Sequence, residues 1–411
     1  MPIEEFIACS DCGLVQLLPA LARNDIAECV RCGHRLARYG AGAEVPLAFA
    51  LSALLLLIPA ALTPLLRLTS FGIVRLDWLP TGVEALWNGG YRPLASLIFL
   101  FSIAIPFGYL GLVVGVLGAL RLGIKAPLGR WFRWSLSLRP WAMVEVYLVG
   151  CCVAYSRLED LGTIDVGIGG WCFMAAALGT LLSVLCLDDR SIWSALAPQR
   201  ALDHNPLEPS AHASERLIDC GSCGLVLEET NERSPCPRCG ALLRRRKPDA
   251  VQRTVALVIA GFILYLPANV FPVLSVERFG HDQPNTILSG VRQLVAADLW
   301  PLAVVVFTAS ILVPLLKLFG LCLMLWLTHR RSSLWLVGRT RLYRVIDLIG
   351  RWSSIDLFMI SILVAIVRFG SLTSVRAEAG ATAFAAVVVI TMFASRSFDP
   401  RVMWDAAESR S

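Results

Sequence analysis

The chain has 411 residues, 56% of them hydrophobic and 17% charged, with a formal net charge of +6 and a mean hydropathy of +0.65. That balance is too apolar for an ordinary soluble globular domain. The positive charge excludes little by itself, but it falls in short runs beside apolar segments, which is how topology signals are placed and not how a nucleic-acid surface is built.

The chain opens on two Cys-x-x-Cys turns, Cys9-Ser-Asp-Cys12 and Cys29-Val-Arg-Cys32, with 16 residues between them. Four thiolates at this spacing make a closed tetrahedral set, the arrangement of structural zinc, and Gly13 and Gly33 follow each turn where an unhindered backbone suits a tight knuckle. A small zinc ribbon is expected over residues 1–40, stabilised largely by its metal. No cleavable signal peptide precedes the first apolar run, so that span is expected to act as an uncleaved anchor.

Residues 41–196 carry four apolar segments: Val45–Leu66, Pro93–Leu120, a weaker one around Trp141–Ser156, and Val166–Leu187. About 20 apolar residues cross the hydrocarbon, so each reads as a span. A polar linker is expected at 197–216. A second ribbon follows over 217–245, built on Cys220-Gly-Ser-Cys223 and Cys236-Pro-Arg-Cys239, with Gly224 and Gly240 in the knuckle places. Residues 246–411 repeat the apolar pattern as Thr254–Val276, Leu299–Thr328, Trp352–Val367 and Ala379–Ser395.

The two halves match position by position. Pro59, Pro64, Gly82, Pro93 and Pro106 recur 208 residues later as Pro267, Pro272, Gly290, Pro301 and Pro314. Trp141, Glu145, Phe173, Asp188, Arg190 and Trp193 recur 211 residues later as Trp352, Asp356, Phe384, Asp399, Arg401 and Trp404. The expected fold is an all-α polytopic membrane protein, eight transmembrane helices in two tandem four-helix repeats, each preceded by a small cytoplasmic zinc ribbon.

Basic residues place the heads. Arg121, Lys125, Arg130, Arg133 and Arg139 lie between spans two and three, Arg330 to Arg351 between spans six and seven, and Arg244–Lys247 just before span five. By the positive-inside rule both termini, both ribbons and the linker are expected in the cytoplasm, with contact to anionic headgroups as a secondary use of these charges. Cytoplasmic placement disfavours disulfides, and a redox dithiol would need a βαβ context that is missing here. Two structural Zn²⁺ ions are therefore expected; iron on the same thiolates stays open. Cys151, Cys152, Cys172, Cys186 and Cys322 fall inside spans and read as small apolar residues.

Three ionisable residues fall at membrane depth. Lys317 lies 11 residues before Thr328, about 16 Å along a helix. Glu145 and Asp356 sit in corresponding places, about eight residues inside the cytoplasmic end of spans three and seven when each is counted at about 20 residues. A charge in the hydrocarbon has to be offset by a partner or a water-filled cavity. Lys317 with Asp356 is the expected pair and Glu145 the second choice; the same residues also suit a purely structural ion pair. Tyr109 stands where Lys317 stands in the other half, and Asn269 lies within the second Pro-Ala-x-x-x-Pro segment, a pattern that either kinks a helix or ends it.

The paired four-cysteine heads, the Pro-Ala-x-x-x-Pro helices and Arg351-Trp-Ser-Ser-Ile-Asp-Leu-Phe358, with its looser copy Pro140-Trp-Ala-Met-Val-Glu-Val-Tyr147, resemble the paraquat-inducible protein A family, including LetA-type proteins of Gram-negative inner membranes. The resemblance covers nearly the whole chain apart from Ala197–Arg216. It implies an inner-membrane subunit of an intermembrane phospholipid transport system. Such a subunit passes lipid to or from a periplasmic mammalian-cell-entry (MCE) domain tunnel protein and supports envelope integrity. The periplasmic loops Arg67–Arg92 and Glu277–Asp298 are the expected contacts for that partner. The alternative is a non-transporting scaffold or a metal or redox stress sensor that docks through its ribbons. The chain has no Gly-rich phosphate loop ending in Lys-Ser/Thr, its five histidines are scattered, and no nucleophile–base constellation stands out, so enzymatic activity is not expected; nor is nucleic-acid binding.

Overall fold

The structure is a computed structural model that describes residues 5–18, 25–38, 42–70, 72–124, 127–158, 162–196, 217–228, 234–278, 281–367 and 373–408. The expected linker at 197–216 lies outside the described residues. Among those described, eight helices are long and apolar enough to cross a membrane.

The first head is two antiparallel hairpins, β1 (Glu5–Ala8) with β2 (Val15–Leu18) and β3 (Ile26–Glu28) with β4 (Arg35–Arg38). The turn of each hairpin is a cysteine knuckle: Gly13 and Gly33 take φ of +76° and +65°, and their amides return to the Cys9 and Cys29 carbonyls. A side chain at either glycine would be strained in that left-handed conformation.

The first half then runs α1 (Glu44–Leu62), β5 (Leu66–Ser70), β6 (Ile73–Asp77), α2 (Thr81–Asn88), α3 (Arg92–Phe99) and α4 (Ile105–Arg121). It continues through α5 (Leu128–Leu138), α6 (Val144–Leu158), β7 (Thr163–Val166), α7 (Ile168–Cys186) and α8 (Asp189–Leu196). The second head contributes β8 (Leu217–Asp219) and β9 (Val226–Glu228), with a bridge between Pro235 and Leu242. The second half repeats the first: α9 (Ala250–Val270), β10 (Leu274–Arg278), β11 (His281–Asn285), α10 (Ile287–Ala296), α11 (Trp300–Phe307), α12 (Val313–His329), α13 (Leu336–Gly350), α14 (Ile355–Ile366), β12 (Thr373–Ala377), α15 (Ala379–Ser397) and α16 (Arg401–Glu408).

The expected eight-helix architecture holds, but the fold is not all-α: each half adds a three-stranded antiparallel sheet, β6-β5-β7 and β11-β10-β12. Leu66-Arg67-Leu68-Thr69-Ser70 alternates buried and exposed, the period of a strand. These sheets stand at the end of the bundle opposite the heads. The Pro-Ala-x-x-x-Pro segments end their helices. The Thr63 amide donates to Pro59 O at 2.9 Å and the Phe271 amide to Pro267 O at 3.0 Å, and Pro64 and Pro272 then turn the chain into β5 and β10. The same corner carbonyls accept from the start of the last span of each half, Gly169 N to Pro64 O and Gly380 N to Pro272 O, both at 3.0 Å. A Cβ on Gly380 would come within 2.5 Å of Pro272 O, so the approach requires glycine.

Within each half the first and last spans pack closely, α1 on α7 and α9 on α15. A Cβ on Gly179 would already meet the Ala53 Cβ at 3.2 Å, the close approach that small residues permit between membrane helices. The halves join through α6 and α14: Tyr147 and Phe358 lie 5.0 Å apart, and Gly150 makes room for the Phe358 Cβ. Span seven is the hub, with 81% of its apolar window buried against 39% for its counterpart, span three. The second span of each half contains one π-helical turn, Leu100–Ala104 and Thr308–Leu312, just ahead of Pro106 and Pro314. Proline has no amide to donate, and the wider turn re-registers the ladder around it.

Candidate functional site

Two sets of residues are candidates: the cysteine clusters at one end and the polar groups within the spans. In the first head all four sulfurs lie within 4.8 Å of one another, with Cys9 to Cys32 at 3.5 Å and Cys12 to Cys29 at 3.6 Å. The second head repeats this, Cys220 to Cys239 at 3.5 Å and Cys223 to Cys236 at 3.6 Å. Sulfurs bound at about 2.3 Å around a tetrahedral ion would be about 3.8 Å apart, so both clusters can hold a metal ion. All eight sulfurs belong to buried residues. Hydrogen bonding from Cys12 holds the Cys9 thiol below the usual thiol range and raises Cys12 itself; in the second head Cys220 is lowered and Cys223 raised in the same way. Four sulfurs this close ionise together only around a cation.

Each head is docked on the opposite half. The first head sits on α13 and α16, where Trp404 packs against Cys9, Cys12, Cys29 and Cys32. Arg344 donates to Cys32 O at 3.2 Å and pairs with Asp11 at 2.6 Å. The second head sits on α5 and α8, where Arg133, the counterpart of Arg344, donates to Cys239 O at 3.4 Å. Arg401 ties the two heads together, pairing with Asp219 at 2.7 Å and donating to Ser10 O at 3.0 Å. Burial pushes the Asp11 carboxyl up, but His34 and Arg344 beside it outweigh that and hold it below its ordinary value. None of this docking was foreseen. Its only trace in the sequence is that Arg133/Arg344 and Trp193/Trp404 recur at the 211-residue offset.

Within the spans, Lys317 is 1% exposed, and its Nζ donates to Gly350 O at 2.8 Å and to Ser353 Oγ at 3.0 Å. Gly350 directly precedes, and Ser353 lies within, the 3₁₀ turn Arg351–Ser354 that joins α13 to α14. Asp356, its expected partner, falls in α14, but its side chain lies outside the described residues. Glu145 stands in the first turn of α6, half-buried. Tyr109 is buried, and its hydroxyl has no hydrogen-bond partner among the described residues. Asn269 Nδ2 donates to Tyr265 O at 2.9 Å, and the Tyr265 hydroxyl reaches Ile311 O in the π-turn at 3.3 Å. Arg139 pairs with Asp189 at 3.2 Å. Ser353 and Gly350 escaped the sequence reading because they carry no charge.

A narrow apolar cleft of about 110 Å³ opens in the second half between the sheet, α10 and α14. Val306, Met359, Leu363 and Phe384 line it, and Asn285, Thr286 and Gln293 supply its polar atoms. In the first half α2 instead lies against α14, where Gly82 leaves no room beside Ser361. Asp77, next to α2, is fully buried: desolvation raises its carboxyl to about 7 against the pull of the Thr81 hydroxyl, which donates to Oδ1 at 3.0 Å.

Duplicated four-span modules, each with a thiolate head, define a multi-pass membrane protein with two potential metal centres. The chain belongs to the paraquat-inducible protein A family, whose model matches residues 44–197 and 251–408. It is 32% identical over 97% of its length, and 95% of theirs, to the intermembrane transport protein PqiA of Escherichia coli K12. It is 30% identical to the lipophilic envelope-spanning tunnel protein A of the same organism, over all of this chain and 93% of the relative. A probable intermembrane transport protein of Haemophilus influenzae is 28% identical over 98% of this chain and 96% of its own. No solved structure matches.

Proposed function

We propose that this chain is the inner-membrane subunit of an intermembrane phospholipid transport system, passing lipid to or from a periplasmic MCE-domain tunnel protein. The heads and both termini face the cytoplasm, as the basic runs beside them favour. The sheet end faces the periplasm and meets the partner through the loops 67–92 and 277–298. Each head binds one structural Zn²⁺ through Cys9, Cys12, Cys29 and Cys32 or through Cys220, Cys223, Cys236 and Cys239. The four-sulfur donor set suits zinc, and the ion supplies folding energy, not chemistry.

The observation that carries this reading is the cleft between α10 and α14, apolar along its walls and polar at Asn285 and Gln293. An acyl segment needs apolar walls, and its headgroup needs a polar rim. Lys317, with Asp356 and Glu145, is the candidate for coupling transport to proton movement, since an intramembrane charge is retained against its cost. The test is transfer of labelled phospholipid from proteoliposomes to the purified MCE protein. Transfer that depends on this chain supports the proposal, and transfer at the same rate without it refutes it.

A sensor reading draws on one contact, Arg344 Nη2 to Cys32 Sγ at 3.4 Å, which ties a metal ligand to a membrane half. Under that reading, loss of head thiolates alters signalling while Lys317→Ala is silent.

A further inference from the structure

The duplication makes each half a control for the other, and at the seat of the heads the two differ in charge. On the first head's seat the two arginines beside the cysteine knuckle are each matched by a carboxylate. Arg344 pairs with Asp11, and Arg31 pairs with Glu408 while stacking 4.4 Å over Trp404. The equivalent residues on the second head's seat are Arg133 and Arg238, but the acids are gone. Ser222 stands in the place of Asp11, and Ala197 in the place of Glu408. A third arginine, Arg130, joins them, as its counterpart Arg341 does on the first seat.

There the structure opens a cavity of about 400 Å³, lined by Arg130, Arg133 and Arg238 together with Leu120, Leu128 and Leu196. Among the described residues no carboxylate lines it and none of the three arginines is ion-paired. Gly129, also in its wall, stands where Thr340 accepts the Trp404 indole N–H at 3.2 Å. The buried Trp193 indole N–H has no acceptor among the described residues.

We infer that this cavity binds a phosphate group, which takes the place of the two carboxylates the other half provides. Guanidinium groups present forked N–H donors that match phosphate oxygens and stay charged at any physiological pH. The apolar wall comes from the ends of span two and α8 and from the start of α5, so an acyl-bearing phosphodiester can be received as well as free phosphate. The site lies at the head end, away from the cleft under the second sheet, and stands whether or not the transport reading does.

The test uses the full chain in nanodiscs. One arm titrates inorganic phosphate calorimetrically into phosphatidylcholine discs; the other counts phosphatidylglycerol retained in native mass spectrometry. Saturable binding is expected in at least one arm, and the arm in which it appears assigns the source. Arg130→Gln, which touches no cysteine, and Ser222→Asp, which restores the carboxylate of the first head, should each weaken binding roughly tenfold, the loss of one charge-assisted contact. Arg31→Gln on the matched seat should leave it unchanged, and elemental analysis of the same samples should show an unaltered metal-to-protein ratio. No saturable binding in either arm, or binding that neither Arg130→Gln nor Ser222→Asp weakens, overturns the inference.

Discussion

Arg344 donates to the carbonyl oxygen of Cys32 at 3.2 Å, across 312 residues of sequence, and so fastens the first head to the second half of the protein. Arg133 makes the same contact with Cys239 in the opposite direction. The two halves are thereby clasped from the head end by each other's metal-binding caps, in addition to the α6–α14 interface within the bundle.

Removing one clasp should therefore loosen one head only. Arg344→Ala loses its contacts to Asp11 and Cys32 and is expected to cost roughly 1–2 kcal/mol, since the pair is partly exposed. Limited proteolysis should show faster cleavage between Cys12 and Cys29 with the 223–236 segment unaffected. Equal protection in mutant and wild type would show that Arg344 holds nothing.

Metal removal should act on both heads and spare the spans. Elemental analysis of purified protein is expected to find two zinc ions per chain. A strong chelator should release them, expose all eight thiols to alkylation and leave far-UV helicity nearly intact, because a membrane helix satisfies its backbone hydrogen bonds within itself. One ion or none would contradict the double-ribbon assignment.

Asp77 gives a pH signature. Its carboxyl is raised to about 7 by burial, above the roughly 3.9 of an unfolded chain, so the fold favours the protonated form. The sign follows from linkage: there is no penalty below about pH 4, and stability is progressively lost as pH rises toward 7. Asn285 occupies the equivalent place in the second half, which makes Asp77→Asn a substitution the architecture already tolerates. The variant should match wild type at pH 3.5 and gain a few degrees in melting temperature at pH 8. A gain of the same size at both pH values would mean that the carboxyl is not held protonated.

Lys317→Met conserves shape and removes the charge. Ser353 Oγ already donates to Gly350 O at 3.0 Å, so the loss of the ammonium strands no buried donor, and the fold should lose no more than about 1.5 kcal/mol. Insertion and expression should stay normal while envelope-barrier function falls severalfold, and Asp356→Ala should do the same. Full function in both variants would leave Lys317 with a packing role alone.

How much of this was legible beforehand depended on the kind of signal. Apolar runs of membrane length and the recurring prolines located the spans and the duplication, because both are local properties of the chain. The sheets were missed because strands of four or five residues next to long apolar helices are absorbed into the hydropathy window: the run Thr254–Val276 covers both α9 and the start of β10. The cysteine spacing identified the heads, yet their exchange onto opposite halves depends on tertiary contacts such as Trp404 against the first cluster, which no spacing encodes. Lys317 was found because charge in an apolar run is conspicuous; its acceptors, a glycine carbonyl and a serine, are not.

The central claim, that phospholipid passes through this chain, is tested most directly by photo-crosslinking from the cleft. A photoreactive residue at Met359, 6% exposed and lining the cleft, can meet bulk lipid only if lipid enters; at Phe358, 1% exposed in the α6–α14 interface, it should meet protein alone. In membranes containing the MCE partner and labelled phospholipid, the account expects label at position 359 and none at 358. No phospholipid adduct at 359, or equal labelling at both positions, would contradict it.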